Sequence, residues 1–402
     1  MWYAGIDWAD QHHDAVVIDA DGLKTATRRV PHSPAGLADL TTWLRDLVPA
    51  PDQLACLIET THGILITALL DAGLVVYPVN PKTIDRRRAP AGAKTDQIDA
   101  YLLAKTGRSD LAELRPLTPD SPVIAELKLL TRDQDSLLQQ QTRLLNQITA
   151  CLKAYYPVAL DLFTKLHQAS TIAFLRAYPL PDLAQAASLD QLTQVLKTAG
   201  HTRAVATAQR IHTQLHQPLL TADAITTRTK ARLLLALLSQ LEPLMAQIAA
   251  YDAEIQRLFL THADSAIFTS LPGAGTRLAP RLLAEWGDDR TRYADGGSVQ
   301  ALAGTAPVPY ESGQYARLHM RYACVKPLRN AMQQFAWQTT VQEAWARTYY
   351  QRKRAEGKSH SMAVRALANV WVRIIFAMWQ GQQPYQASVF TTAQRQHQRR
   401  AA

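Results

Sequence analysis

The chain has 402 residues, 47% of them hydrophobic, so it can fill the cores of two or three domains and is not a disordered polymer. The 43 Lys and Arg outnumber the 34 Asp and Glu, and the formal net charge of +9 points to a polyanionic partner, most often nucleic acid. Cys56, Cys151 and Cys324 are too scattered for a zinc-ligand pair or a disulfide framework, which fits a reducing cytoplasm.

The opening MWYAGIDWAD has neither the basic nor the apolar segment of a secretory signal. WYAGID reads as an apolar strand, DAVVIDADG as a second strand with a turn at Asp21-Gly22, and LKTATRRVPH as a third that completes a meander. SPAGLADLTTWLRDLV is a helix with Ser33 as N-cap and Pro34 at its first position. LACLIET is a buried strand, HGILITALLDAG a helix ending at Gly73, and LVVYPVNP a further strand. After the basic run DRRRA, a helix runs from Thr95 to about Lys105. The order β-β-β-α-β-α-β-α over residues 1–115 implies a mixed sheet flanked by helices.

A second region, 116–262, opens with the Pro-rich joint LRPLTPDSP. Leu127, Leu130, Gln134, Leu137, Gln141, Leu144, Ile148, Cys151 and Tyr155 follow heptad spacing, as do Leu234, Leu237, Leu241, Leu244, Ile248, Tyr251, Ile255 and Leu258. The two seams fit an antiparallel or an intermolecular coiled coil, and equally two amphipathic helices of a bundle. Pro243 is expected to kink the second. Pro157 to Thr221 looks helical. Its apolar continuation LLLALLSQLEPLMAQIAA and the later VWVRIIFAMW are broken by polar residues and read as poor membrane spans. A third region, 263–386, holds the turn LPGAG and the stretch PYESGQYARLHMRY. The polar tail 387–402 ends in Arg399 and Arg400 and is expected to be disordered.

Chemistry concentrates in the carboxylates. Asp7 and Glu59 end strands, while Asp96 and Asp99, at i and i+3, share one face at a helix start. Strand ends and helix starts of an open α/β sheet converge on one crevice. Acids gathered there repel one another, and a hard divalent cation relieves that conflict with oxygen ligands. Separately, Asp96 or Asp99 would serve as a first-turn acid facing the helix dipole, and Glu59 as a cap. Arg86, Arg87 and Arg88 stand just before this helix and suit a nucleic acid backbone.

In the third region Ser312 precedes Gly313, and the residues by themselves favour a plain loop serine. Tyr310 and Tyr315 are rival nucleophiles. Tyr315, Arg317, His319 and Arg321 alternate as on one face of a strand and read as phosphate contacts or core residues. Gly273 and Gly275 in LPGAG suit a turn whose backbone N–H groups hold a phosphate, or a plain turn between packed helices. Lys326 and Arg329 join the basic set.

GIDWA, IET and AKTDQIDAYLLA, followed far downstream by LPGAG and ESG, resemble the DEDD transposases of bacterial insertion sequences. These are relatives of the Piv invertase and of the bridge-RNA-guided recombinases. The resemblance runs along almost the whole chain, with KTDxxDAxxLA its most specific element. It implies a RuvC-like, RNase H-type first domain, a helical coiled-coil middle and a mainly helical C-terminal transposase domain with a helix-hairpin-helix-like element. It implies Asp7, Glu59, Asp96 and Asp99 as ligands of Mg²⁺ or Mn²⁺, and Ser312 as a nucleophile that links covalently to DNA. DNA, a structured bridge RNA and further copies of the chain are the implied partners, with no membrane. A RuvC-like nuclease or resolvase using water is the alternative. An actin-like kinase is more remote, because GIDWADQHHD lacks a glycine just after Asp7, and a non-catalytic RNA-binding scaffold would not need the acids together.

Overall fold

The computed structural model describes residues 1–88, 95–313, 315–389 and 392. Gly92 to Lys94 of the acidic-helix motif and most of the 387–402 tail lie outside the described residues. The chain divides into two compact units, Met1–Pro119 and Asp120–Ala402.

In the first unit β1 (Trp2–Trp8), β2 (His12–Ile18) and β3 (Lys24–Pro31) form the expected antiparallel meander. The helix α1 (Pro34–Asp46) starts where the Ser33 hydroxyl accepts the Gly36 N–H at 3.1 Å. Next come β4 (Leu54–Ile58), α2 (Ile64–Asp71) and β5 (Val75–Pro78). β4 pairs in parallel with β1, and β5 with β4, so the sheet order is β3-β2-β1-β4-β5. A strand covered on both faces must be apolar at every position, and LACLI of β4 is buried throughout. α3 (Pro81–Arg88) and α4 (Asp96–Asp110) close the unit. The sequence reading missed α3, because its eight residues PKTIDRRR carry one buried apolar side chain, Ile84, and so no helical period.

Strand alternation sorts the faces. Ala4, Ile6, Val17, Cys56 and Ile58 meet α1 and α2 through Leu40, Leu44, Leu65 and Leu69. The opposite face takes α4, with Ala100 and Ala104 on Val16 and Ile18, and Leu103 and Ile84 on Ala55 and Leu57. Gly5 makes this approach possible. A Cβ there would stand 1.9 Å from the Ala100 carbonyl oxygen and 2.5 Å from the Ala104 nitrogen, so helix backbone rests directly on strand backbone.

The second unit is built on two long helices. α5 (Pro122–Tyr155) leads through α6 (Val158–Leu162), α7 (Ala169–Ala177), α8 (Pro181–Ala186), α9 (Leu189–Thr198) and α10 (Ala204–Leu215) to α11 (Ala224–Thr261). α5 and α11 run antiparallel. The Gln134 amide donates to Asp252 at 2.8 Å near one end, and the Cys151 thiol to the Lys230 carbonyl at 3.3 Å near the other. The heptad seams therefore meet within one chain, as the antiparallel alternative expected. Leu241 and Ile248 are buried, but Leu137 and Leu144 only half so. Pro243 lies inside α11 without ending it. At one end Leu152, Tyr155, Phe174, Leu196, Ile211, Leu234 and Leu238 form a core with α6–α10.

At the other end lie α12 (Ser265–Thr269), α13 (Gly275–Trp286), α14 (Gly296–Leu302), the hairpin of β6 (Val308–Ser312) and β7 (Tyr315–His319), α15 (Lys326–Gln342), α16 (Ala344–Ala355) and α17 (His360–Gly381). Their core gathers Trp286, Phe335, Trp371 and Trp379 around Ile124, Leu127, Ile255 and Leu258. Arg132 on α5 donates twice to the buried Glu285 of α13, at 2.7 and 2.9 Å, which ties α5 to this bundle. By length and composition alone α11 and α17 are long and apolar enough to cross a membrane. Both spend apolar side chains in these cores: Leu234, Leu238 and Leu241 of α11, and Leu367, Trp371 and Ile375 of α17.

Candidate active site

The first cluster forms where β1 and β4 end. Asp7 pairs across the antiparallel ladder with Asp14 of β2, so both side chains leave the sheet on the α4 face. Ile6 pairs with Ile58, so Glu59, one residue past β4, follows in the alternation that puts Asp7 on that face. The head of α4 comes down on the same face because Gly5 lets it. Thr95 caps that helix, accepting the Ile98 N–H at 3.3 Å. Burial pushes the Asp7 carboxyl up from 3.8 to about 6, and the charges of Asp99, Asp96, Glu59 and Asp14 push in the same direction. The other three sequence-chosen acids, Asp99, Asp96 and Glu59, thus all lie near enough to act on Asp7.

The structure adds residues to this set. His12 Nε2 lies 3.2 Å from Asp96 Oδ2 and 3.7 Å from Asp14 Oδ2. Ligand atoms of His12, Asp14 and Asp96 all fall within 4.8 Å of one another, a grouping able to hold a divalent metal ion. Arg29 of β3 donates to Asp14 with Nε at 3.0 Å and Nη2 at 2.7 Å, and its Nη2 stands 3.5 Å from Asp96. The signal for Asp14 was present in the sequence. Alternation in HHDAVVI puts His12 and Asp14 on one face, and the short turn at 9–11 sets Asp14 opposite Asp7. Arg29 had no such signal, since one arginine in a strand looks like surface.

The basic run is not the free set that its sequence implied. Arg88 donates to buried Asp99, with Nε and Nη2 at 2.8 and 2.7 Å from Oδ1, and Nη1 reaches Asp85 at 2.9 Å. Arg87 pairs with Asp110 at 2.5 Å and with Ser109 at 3.0 Å. Arg86 is exposed. A helix packed beside α4 turns consecutive arginines to different neighbours, and two of the three find acids there.

The second cluster is the β6–β7 hairpin. Its turn needs a left-handed residue directly after Ser312, and Gly313 supplies it at φ 57°. Ser312 pairs with Tyr315, Tyr310 with Arg317 and Val308 with His319, so all six side chains share one face. β7 ends at His319, so Arg321 falls past the strand rather than on its face, and its buried Nε has no partner among the described residues. In LPGAG, Gly273 and Gly275 both hold positive φ, 75° and 59°, and link α12 to α13. Lys326 opens α15 as an exposed residue, and Arg329 is half-buried one turn on.

Residues 4–157 match a family model described as transposase, and residues 265–351 match one described as the transposase of the IS116/IS110/IS902 family. The chain is 33% identical over 378 residues, 91% of each chain, to the mini-circle putative transposase for IS117 of Streptomyces coelicolor. It is 28% identical over 382 residues, 94% of each chain, to the 44.8 kDa protein of insertion element IS116 of Streptomyces clavuligerus. It is 26% identical over 402 residues to the 42 kDa protein of insertion element IS900 of Mycobacterium paratuberculosis, covering 97% of this chain and 98% of that one.

Proposed function

Because the chain belongs to the IS116/IS110/IS902 family of transposases, we propose that it cuts and rejoins DNA through a carboxylate-held Mg²⁺ or Mn²⁺ and the hydroxyl of Ser312. The observation that carries this reading is the crowding at Asp7, whose carboxyl is raised to about 6 by burial and by Asp99, Asp96, Glu59 and Asp14. Such crowding is costly without a counter-charge, and an oxygen-rich set fits a hard divalent ion. The sheet order β3-β2-β1-β4-β5, with the acids at strand ends, supports a RuvC-like, RNase H-type domain. Asp7, Glu59, Asp96 and Asp99 are the proposed ligands, with His12 and Asp14 beside them. A divalent ion held there stabilises charge developing on a phosphate and lowers the pKa of an attacking hydroxyl.

Ser312 supplies that hydroxyl. Its Oγ–phosphorus bond forms as one P–O bond of the strand breaks, its proton leaves, and the departing DNA oxygen takes one up. The reverse step, with a new DNA hydroxyl attacking, rejoins the strand. The basic surplus, +9, supports a polyanionic partner, and a bridge RNA and a dimer or tetramer of this chain belong to the same proposal. The kinase reading falls with the family assignment.

The test incubates labelled DNA bearing the element's ends with the protein, its co-purified RNA and Mg²⁺, and resolves products on a denaturing gel. Wild type should give a protein–DNA adduct mapping to Ser312. Ser312→Ala should bind DNA and give none, and Asp99→Ala should give neither cleavage nor adduct while keeping its fold. An adduct on Tyr315 would move the reading to a tyrosine recombinase. Cleavage with no adduct would move it to a nuclease using water.

A further inference from the structure

The hairpin that carries Ser312 has two unlike faces. On one, the Tyr310 ring stands edge-on to Tyr315 at 6.1 Å and to His319 at 5.5 Å, and the Arg317 guanidinium lies 5.2 Å from the Tyr315 ring centre. Tyr310 and Tyr315 remain 57% and 45% exposed, so the rings order one another without being buried. On the other face are Pro309, Glu311, Ala316 and Leu318, with neither aromatic ring nor cation. The single carboxylate of the two strands is therefore turned away from the aromatic face.

A core would bury such rings, and a surface built only for duplex phosphates would use cations without them. Rings, guanidinium and imidazole on one exposed face, with no acid among them, match the chemistry of unstacked bases on a phosphate backbone. We propose that the face formed by Tyr310, Tyr315, Arg317 and His319 is a stacking platform for an unpaired stretch of DNA strand next to the phosphate that Ser312 attacks. The assignment rests on the Ser312 reading for its choice of strand. Ser312 sits directly across from Tyr315, so a base stacked on that ring leaves its own backbone within the reach of the serine. A duplex keeps its base faces covered, so the platform engages only DNA opened around the site.

The experiment measures binding by fluorescence anisotropy in a Ser312→Ala background, so that covalent capture plays no part. The probes are a labelled single-stranded DNA of the element's end, its duplex, and RNA of the same sequence. Tyr310→Ala and Tyr315→Ala should each bind the single DNA strand roughly ten-fold more weakly, with duplex affinity within about two-fold of the parent. Tyr310→Phe and Tyr315→Phe keep the ring and should bind as the parent does. Leu318→Ala, on the opposite face, is the control for hairpin folding and should also bind normally. Equal loss on the duplex, an equal loss on RNA, or unchanged single-strand binding with an altered oligomeric state would each overturn the platform. The covalent-adduct gel with intact Ser312 reads the function separately. An adduct at Ser312 with no tyrosine effect sinks the platform alone, and the converse sinks the nucleophile alone.

Discussion

Asp7 is held in a conformation that disfavours its own ionisation. Burial and the neighbouring acids push its carboxyl up to about 6, against 3.8 for an ordinary aspartate. The sign follows from proton counts. Between those two values the folded chain holds a proton that the unfolded chain has lost, so this residue's contribution to stability falls as pH rises through the window. Above about 6 the ionised group is a net cost to the fold. Asp7→Asn should therefore raise the melting temperature of chelator-treated protein at about pH 7.5, and the gain should disappear below about pH 4. Melting curves of the two proteins at both pH values check this, and an equal gain at both would place the cost elsewhere. Divalent metal should raise the wild-type melting temperature and leave Asp7→Asn much less changed, because the variant has lost both the repulsion and a ligand. Arg29 and Arg88 supply positive charge to Asp14 and Asp99, so those two carboxylates are already partly compensated.

At the scale of elements, α4 depends on one glycine. With the Ala100 carbonyl oxygen 1.9 Å from where a Cβ would sit, and that oxygen belonging to backbone, nothing flexible can yield. Gly5→Ala should push α4 off β1, cost about 1–3 kcal/mol, and carry Asp96 and Asp99 away from Asp7. Strand cleavage should then fall by far more than the loss of stability explains at a temperature where the variant is fully folded. Denaturant melts beside cleavage rates check it, and normal cleavage by folded Gly5→Ala would show that α4 need not sit so close. The second element pair makes a different point. Gln134 looks like a flaw in an apolar seam, yet it is 5% exposed and donates to Asp252, which also takes both ends of the Arg277 fork. Gln134→Leu should leave stability nearly unchanged in thermal melts, because Asp252 keeps Arg277, whereas Asp252→Ala should lower it by about 1–3 kcal/mol by stranding a buried amide.

For the whole molecule, a charge of +9 makes nucleic acid binding a matter of counter-ion release. Binding should weaken steeply as salt rises, and each lost phosphate contact should flatten the logarithmic slope by about 1. Arg86→Ala should produce that change. Arg87→Ala should leave the slope alone, since Arg87 is committed to Asp110, and should instead loosen α3 from α4. A salt titration of the two variants against wild type decides, and a flattened slope for Arg87→Ala alone would reverse the assignment.

The sequence by itself determined the strands and helices of the first unit other than α3, because their apolar spacing, the Ser33 cap and the turn glycines are local signals. It also singled out Asp7, Glu59, Asp96 and Asp99, since acids at strand ends and a helix head stand out against an apolar pattern. Tertiary structure decided the rest. Asp14 had a local signal in the β1–β2 hairpin, but the approach of His12 to Asp96 and of Arg29 to Asp14 and Asp96 are relations between residues far apart along the chain. Arg87 and Arg88 became partners of acids only once α3 lay beside α4. The heptad seams could not say which helix they would face, because a seam records an apolar stripe and not its partner; the antiparallel path of α5 and α11, pinned by Gln134 and Asp252, is a fact of three-dimensional packing.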